Sequence, residues 1–239
     1  MKIQNLNIGP FTKRFNPLPD NKKFVLHHDQ YDLYQSFNSI ENLTGKSILD
    51  FGGSFGNLIQ SSHGKINPLH YTSLDVDQES LKMGRDKFPL SNWIHQDLYN
   101  PMYNPDGSEV LHLDRSYDII IAYSVFTHDT FKSFRDSVSI FKKHLTSNGK
   151  ILVTILLNDS ENVKHIVDKR KDLYGNCDQI DSTKDINYLV NNKNYFSITD
   201  KFSCDFLYTF YKKSFIEKYG ILHTSNLPQS ILEVDINAF

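Results

Sequence analysis

Residues 47–61 read SILDFGGSFGNLIQS, and this run constrains the fold more than any other part of the chain. An apolar strand, SILDF, ends in an acid and passes without spacer into small residues. Leu58 and Ile59 then open a helix face. Glycine at 52 and 56 permits a tight strand-to-helix turn with close backbone approach, and a buried strand feeding a helix this way is the start of a βα unit in a parallel sheet.

The pattern repeats downstream. HYTSLDVD at 70–77 reads as strand and turn, DQESLKMGRDKF as a helix, NWIHQDL as strand and turn, and SYDIIIAYSVF at 116–126 as a buried parallel strand. FKSFRDSVSIFKKHLTSNG reads as an amphipathic helix closed by Gly149, before the strand KILVTILL. Upstream, Tyr31, Tyr34 and Phe37 recur at helical spacing in FVLHHDQYDLYQSFNSIENL, after an arm broken by Pro10, Pro17 and Pro19. Residues 158–205 are charged and Asn-rich and read as an insertion or substrate cap. FLYTFYKKSFIEKYG reads as a last helix, and the tail ILHTSNLPQSILEVDINAF as two strands joined by a Pro-containing turn, a hairpin with an antiparallel partner. The expected organisation is an N-terminal arm and helical lid over 1–44, an α/β core over 45–157, the insertion over 158–205, and a closing helix and strands of the same domain over 206–239.

Composition narrows the function classes. Lys and Arg total 26 against 28 Asp and Glu, a net charge of −2, which disfavours a broad nucleic-acid surface. The basic residues of the insertion, among them Lys164, Lys169, Arg170, Lys171 and Lys184, alternate with acids. Cys177 and Cys204 form neither a CxxC motif nor a disulfide framework, so a cytoplasmic setting is expected. No signal peptide or membrane span is expected. No HxH or HExxH occurs, and no metal site is expected.

Three strand ends carry acids: Asp50, Asp75 and Asp97. Asp75 follows the glycine turn at a spacing suited to accepting from the ribose hydroxyls of an adenosine, and Asp97 can accept from an adenine amino group. A P-loop requires GxxxxGK[ST], which this turn lacks, and no cluster of positive charge awaits a pyrophosphate. A ligand joining adenosine to a cationic or zwitterionic tail matches these acids better than NAD does.

Taken in order, ILDFGGSFGN, YTSLDVD, HQDL, YDIIIAYSVFTH and LTSNGKILVTI resemble the class I S-adenosylmethionine (SAM)-dependent methyltransferases across roughly 45–157. The resemblance implies a Rossmann-like, mainly parallel sheet of seven strands with an antiparallel closing strand and helices on both faces. It implies SAM as cofactor, with Asp50 organising the methionine end and Gly52, Gly53, Ser54 and Gly56 forming the turn beneath. Asp75, with Val76 beside it, is expected at the ribose, Asp97 and Leu98 at the adenine, and Ala122 in the cofactor wall. Ser54 departs from the family, which has glycine there.

The family's substrate face falls on AYSVFTHDT, making His128 the candidate base, with Tyr123 and Asp129 as positioning groups. His27, His28 and Tyr31 form a candidate lid or substrate cluster. Methylation of a small-molecule oxygen or nitrogen is the leading expectation, because Ala122-Tyr123-Ser124-Val125 stands in place of the Asn/Asp-Pro-Pro-aromatic motif of adenine-amino methylation. RNA or protein methylation, an NAD-dependent Rossmann oxidoreductase and a noncatalytic methyltransferase-like binding module are the alternatives.

Overall fold

The computed structural model describes residues 30–36, 43–100, 103–159, 163, 191–199, 207–224 and 229–239. Its residues fall into two compact units, Met1–Asp97 and Leu98–Phe239.

In the first unit, helix α1 (Gln30–Ser36) precedes β1 (Ile48–Phe51), α2 (Asn57–Ser61), β2 (Tyr71–Asp75), α3 (Gln78–Lys87) and β3 (Asn92–His95). The strands are parallel, β2 lying between β1 and β3. β1 is buried along its whole length and β2 up to its last residue. Burial on both faces is why β1 does not alternate as a surface strand would, whereas β2 carries the buried hydroxyls of Thr72 and Ser73. Helix α3 is capped by Asp77, whose side chain accepts the N–H of Ser80 at 3.2 Å. Trp93 of β3 lies so close to α3 that a Cβ on Gly84 would stand 2.2 Å from its ring. Only glycine lets helix and strand approach this far.

The second unit contains β4 (Tyr117–Ala122), α4 (Phe131–Phe141), β5 (Leu145–Leu157), β6 (Tyr195–Thr199), β7 (Leu207–Tyr211), α5 (Lys213–Ile216), β8 (Gly220–His223) and β9 (Gln229–Val234). β4 and β5 are parallel; β9 runs antiparallel to β5 and carries β8, also antiparallel, on its far side. The closing hairpin expected of the tail is therefore present, with β9 as the antiparallel closing strand.

Three expectations are corrected. The helix expected to run to Gly149 ends at Phe141, where its buried stripe of Phe134, Val138 and Phe141 is complete. LTSNG instead belongs to β5: Leu145 pairs with Tyr117 and Lys150 with Ile119, so the intervening residues bulge from the ladder. The strand expected over 116–126 stops at Ala122. Ser124, with φ 60°, turns the chain away, and its N–H is taken by Thr154 Oγ1 at 2.7 Å. The helix expected over 206–220 is divided, because its aromatic first part forms β7 and only Lys213–Ile216 is α-helical.

The register shows where β7 lies. Leu152 and Val153 pair with β4 on one edge and with β9 on the other. Leu156 pairs with Phe210 of β7 and with Gln229 of β9, so β7 occupies the β4 edge, beyond the point where β4 has stopped. β6 pairs antiparallel with β7. The β6–β7 hairpin, drawn partly from the 158–205 insertion, thus extends the sheet past the carboxyl end of β4. Setting it aside, the strands have the order and directions of a Rossmann-like, mainly parallel seven-stranded sheet with flanking helices.

Candidate functional site

The turn after β1 is held by alternate residues of β2. Tyr71, Ser73 and Asp75 share one face of that strand because strand side chains repeat every second residue. Tyr71 donates its hydroxyl to Asp50 Oδ2 at 2.5 Å. Ser73 donates to the carbonyl of Ser54 at 3.3 Å. Asp75 Oδ2 accepts the N–H of Ser54 at 2.8 Å, while its Oδ1 accepts that of Asp77 at 2.9 Å. A single strand face thereby fixes both the acid that precedes the turn and the turn itself.

The small residues have separate reasons. Gly52 and Gly56 lie at φ 72° and 87°, where a side chain is strained. Gly53 is limited by space, since a Cβ there would stand 2.7 Å from the Asp50 carboxyl carbon and 2.6 Å from Ser73 Oγ. The backbone thus lies directly on the carboxylate. Ser54 adopts φ 49°, the left-handed conformation that its glycine counterpart would take freely, and its bonds to Asp75 and Ser73 hold it there.

Burial dominates the electrostatics. Asp50, 1% exposed, is pushed up to about 7, chiefly by burial; the Tyr71 hydrogen bond opposes this and the charge of Asp75 adds to it. Burial also raises Asp75, against the stabilising N–H groups of Asp77 and Ser54. The Tyr71 phenol is driven far upward by burial and by the neighbouring carboxylates, so it remains a donor throughout the physiological range.

Of the other expected cofactor contacts in this unit, Val76 follows β2, its carbonyl 3.2 Å from His95 Nε2. Asp97 lies just beyond β3, partly exposed. Tyr31 is buried in the first unit, its N–H donating to Ser61 Oγ of α2 at 3.0 Å and its ring lying 5.1 Å from Lys65 Nζ. His27 and His28 lie outside the described residues.

The second unit gathers the other candidates. Leu98 offers its carbonyl to Asn104 Nδ2 at 2.9 Å. Ala122 is fully buried at the end of β4, and burial raises the Tyr123 phenol. His128 ends a helical turn, Phe126–His128, and its ring lies 4.7 Å from that of Tyr208 on β7 and 6.1 Å from Tyr103. Asp129 Oδ1 accepts the N–H of Thr130 and Oδ2 the hydroxyl of Ser133, each at 2.7 Å; burial raises this carboxyl while both bonds oppose the rise. Its backbone carbonyl accepts Thr209 Oγ1 at 2.7 Å, and Ser197 of β6 lies 2.8 Å from that same hydroxyl. The β6–β7 hairpin therefore anchors the His128–Asp129 segment.

Sequence reasoning missed Tyr71, Ser73, Tyr103 and Tyr208. The placing of Tyr71, Ser73 and Asp75 at every second position of one strand was the available signal for the first two. Nothing local marks Tyr103 or Tyr208, which meet His128 through tertiary packing.

The order and directions of its strands give this chain the fold of the SAM-dependent methyltransferases. It is similar to an S-adenosylmethionine-dependent methyltransferase from Clostridium acetobutylicum ATCC 824, with 16% identity over 87% of this chain and 91% of that one and a TM-score of 0.52. It is similar to the glycopeptide N-methyltransferase MtfA, with 9% identity over 89% of this chain and 91% of that one, also at a TM-score of 0.52. A partial likeness to DesVI of Streptomyces venezuelae, at 19% identity over 52% of this chain and a TM-score of 0.38, spans about half of that chain (47%). No family model matches the sequence. At these identities the likeness is one of fold. Among the described residues, no helix is long and apolar enough to cross a membrane.

Proposed function

We propose that this protein is a SAM-dependent methyltransferase acting on an oxygen or nitrogen of a small molecule. The observation that carries this reading is the grip of Tyr71, Ser73 and Asp75 on Asp50 and the glycine turn. The donor set suits the cofactor. Asp75 offers two carboxylate oxygens that each accept a backbone N–H, and such an oxygen can accept more than one donor, as a ribose diol requires. Asp50 supplies an acceptor for a cationic group, and the bare Gly53 backbone lets the turn pack directly on that carboxylate.

Bound SAM supplies an activated methyl group that a nucleophile displaces in line. The protein's share is alignment, together with removal of a proton where the acceptor is a hydroxyl or a protonated amine. His128 is the group for that proton, with Tyr123 and Asp129 positioning its segment. Asp97 and Leu98 serve the adenine, Val76 the ribose side and Ala122 the cofactor wall. His27, His28 and Tyr31 are candidates for a lid or substrate contact.

A small acceptor is supported by the near-neutral charge and by Ala122-Tyr123-Ser124-Val125, which lacks the residues used to hold a flipped adenine. The glycopeptide methyltransferase of the same fold is a further parallel.

Calorimetry of the full chain with SAM, S-adenosylhomocysteine and NAD tests the reading. Binding of the first two and not of NAD is expected. NAD binding alone would replace it with the oxidoreductase reading. Binding of neither SAM nor its product would leave a noncatalytic module. Turnover only on RNA or a protein would overturn the small-molecule assignment.

A further inference from the structure

Asp50 faces the ligand in the proposed function, whereas Tyr71 has there no role of its own toward the ligand. Both are 1% exposed, and Tyr71 reaches Asp50 from the neighbouring strand because Ile48, two residues before Asp50 on the same face, is its register partner. Its ring is held edge-on against Trp93, the centroids 6.0 Å apart. The phenol is thus fixed at its base by packing and aimed at one carboxylate oxygen, Oδ2. The same carboxylate lies beneath Gly53, so its orientation and the path of the turn are set together.

Resting on the SAM reading, we propose that Tyr71 is a positioning residue for the cofactor: by donating to Asp50 it keeps that carboxylate oriented and charged toward the cationic amino-acid end of SAM, and so sets the pH range over which SAM binds. A buried carboxylate prefers to be neutral, and a donor to its charged form opposes that preference. Among the described residues, the titratable groups acting on Asp50 are Tyr71, which favours its charge, and Asp75, which disfavours it, both on β2. Tyr71 remains protonated and so remains a donor.

The test is calorimetry of SAM and of 5′-methylthioadenosine, which lacks the amino-acid tail, between about pH 5.5 and 7, where the ligand's own amino group stays largely protonated. Wild-type affinity for SAM should rise across this window while that for methylthioadenosine stays level. Tyr71→Phe keeps the ring against Trp93 and removes only the donor. It should move the rise upward by about one pH unit or more and weaken SAM by about tenfold at pH 7, leaving methylthioadenosine within about twofold. Asp50→Asn should flatten the SAM profile, and reads the same point should Tyr71→Phe fail to fold.

Equal loss of both ligands in Tyr71→Phe, an unshifted profile, or an Asp50→Asn profile that keeps the wild-type rise would overturn the proposal. Wild-type protein that binds neither SAM nor S-adenosylhomocysteine at any pH would overturn the functional reading itself and this inference with it. Binding of SAM without the Tyr71 effect would overturn this inference alone.

Discussion

The carboxylate of Asp75 accepts the N–H of Ser54 at 2.8 Å and, through its other oxygen, that of Asp77 at 2.9 Å, so one side chain joins the turn after β1 to the turn after β2. Replacing it by asparagine keeps the shape but turns one acceptor into a donor, facing a backbone N–H. Stability should fall by about 1–3 kcal/mol in urea unfolding, and affinity for S-adenosylhomocysteine by about tenfold or more. A variant that is destabilised yet binds normally would confine Asp75 to a structural role.

Ser54 tests the left-handed turn directly. Its φ of 49° is a conformation that β-branched residues rarely adopt. Ser54→Gly should be tolerated, within about 1 kcal/mol of wild type, because relief of strain and added unfolded-state entropy oppose each other. Ser54→Val should cost about 2 kcal/mol or more and weaken cofactor binding. Thermal melts of the two variants, read beside calorimetry, separate the cases.

The burial of Asp50 also bears on stability. Its carboxyl is raised in the folded protein to about 7 from an unfolded value of 3.8. A raised carboxyl stabilises the fold fully below the unfolded value, and that contribution is lost as pH rises through the folded one. Without ligand, the wild type should therefore lose stability relative to Asp50→Asn between about pH 4 and 7, by an amount on the order of a few kcal/mol. Paired urea titrations across this range measure the difference, which should vanish at the acidic end. The neutral variant should be the more stable protein above pH 7 and the poorer binder of SAM.

The His128 segment makes a separate prediction. His128→Asn should slow methyl transfer by about 10²–10⁴-fold to any acceptor whose proton must leave early, with cofactor affinity within about twofold. Single-turnover rates against pH check this. A rate that is pH-independent in both proteins would remove His128 from the base role. Thr209→Val, which keeps the shape but removes the donor to the Asp129 carbonyl, should lower the same rate through displacement of this segment, with a smaller effect on cofactor binding.

What was legible in the sequence was local. The strand SILDF, the glycine turn, the strand before Asp75 and the closing hairpin could be read because periodicity, turn residues and caps operate within a few positions. Gly52 and Gly56 were readable as turn glycines for the same reason. Gly53 was not readable in the same detail, because its restriction comes from Asp50 and Ser73 and depends on where β2 lies. The FLYTFYKKSFIEKYG segment misled because its aromatic residues suit either a helix or a strand. Pairing with Leu156, Leu157 and β6 decided in favour of a strand over Leu207–Tyr211.

The sequence alone therefore determined the alternation of strands and helices, the acid-ended first strand and the turn chemistry that follows it. The tertiary structure decided which side chains act together: Tyr71 with Asp50, Asp75 with Ser54, and Tyr208 and Thr209 with the His128–Asp129 segment. The difference lies in range. Helix and turn preferences are written in neighbouring residues, whereas strand register is set by hydrogen bonds between segments distant in the chain, and a shift of one residue would turn Tyr71, Ser73 and Asp75 to the opposite face together.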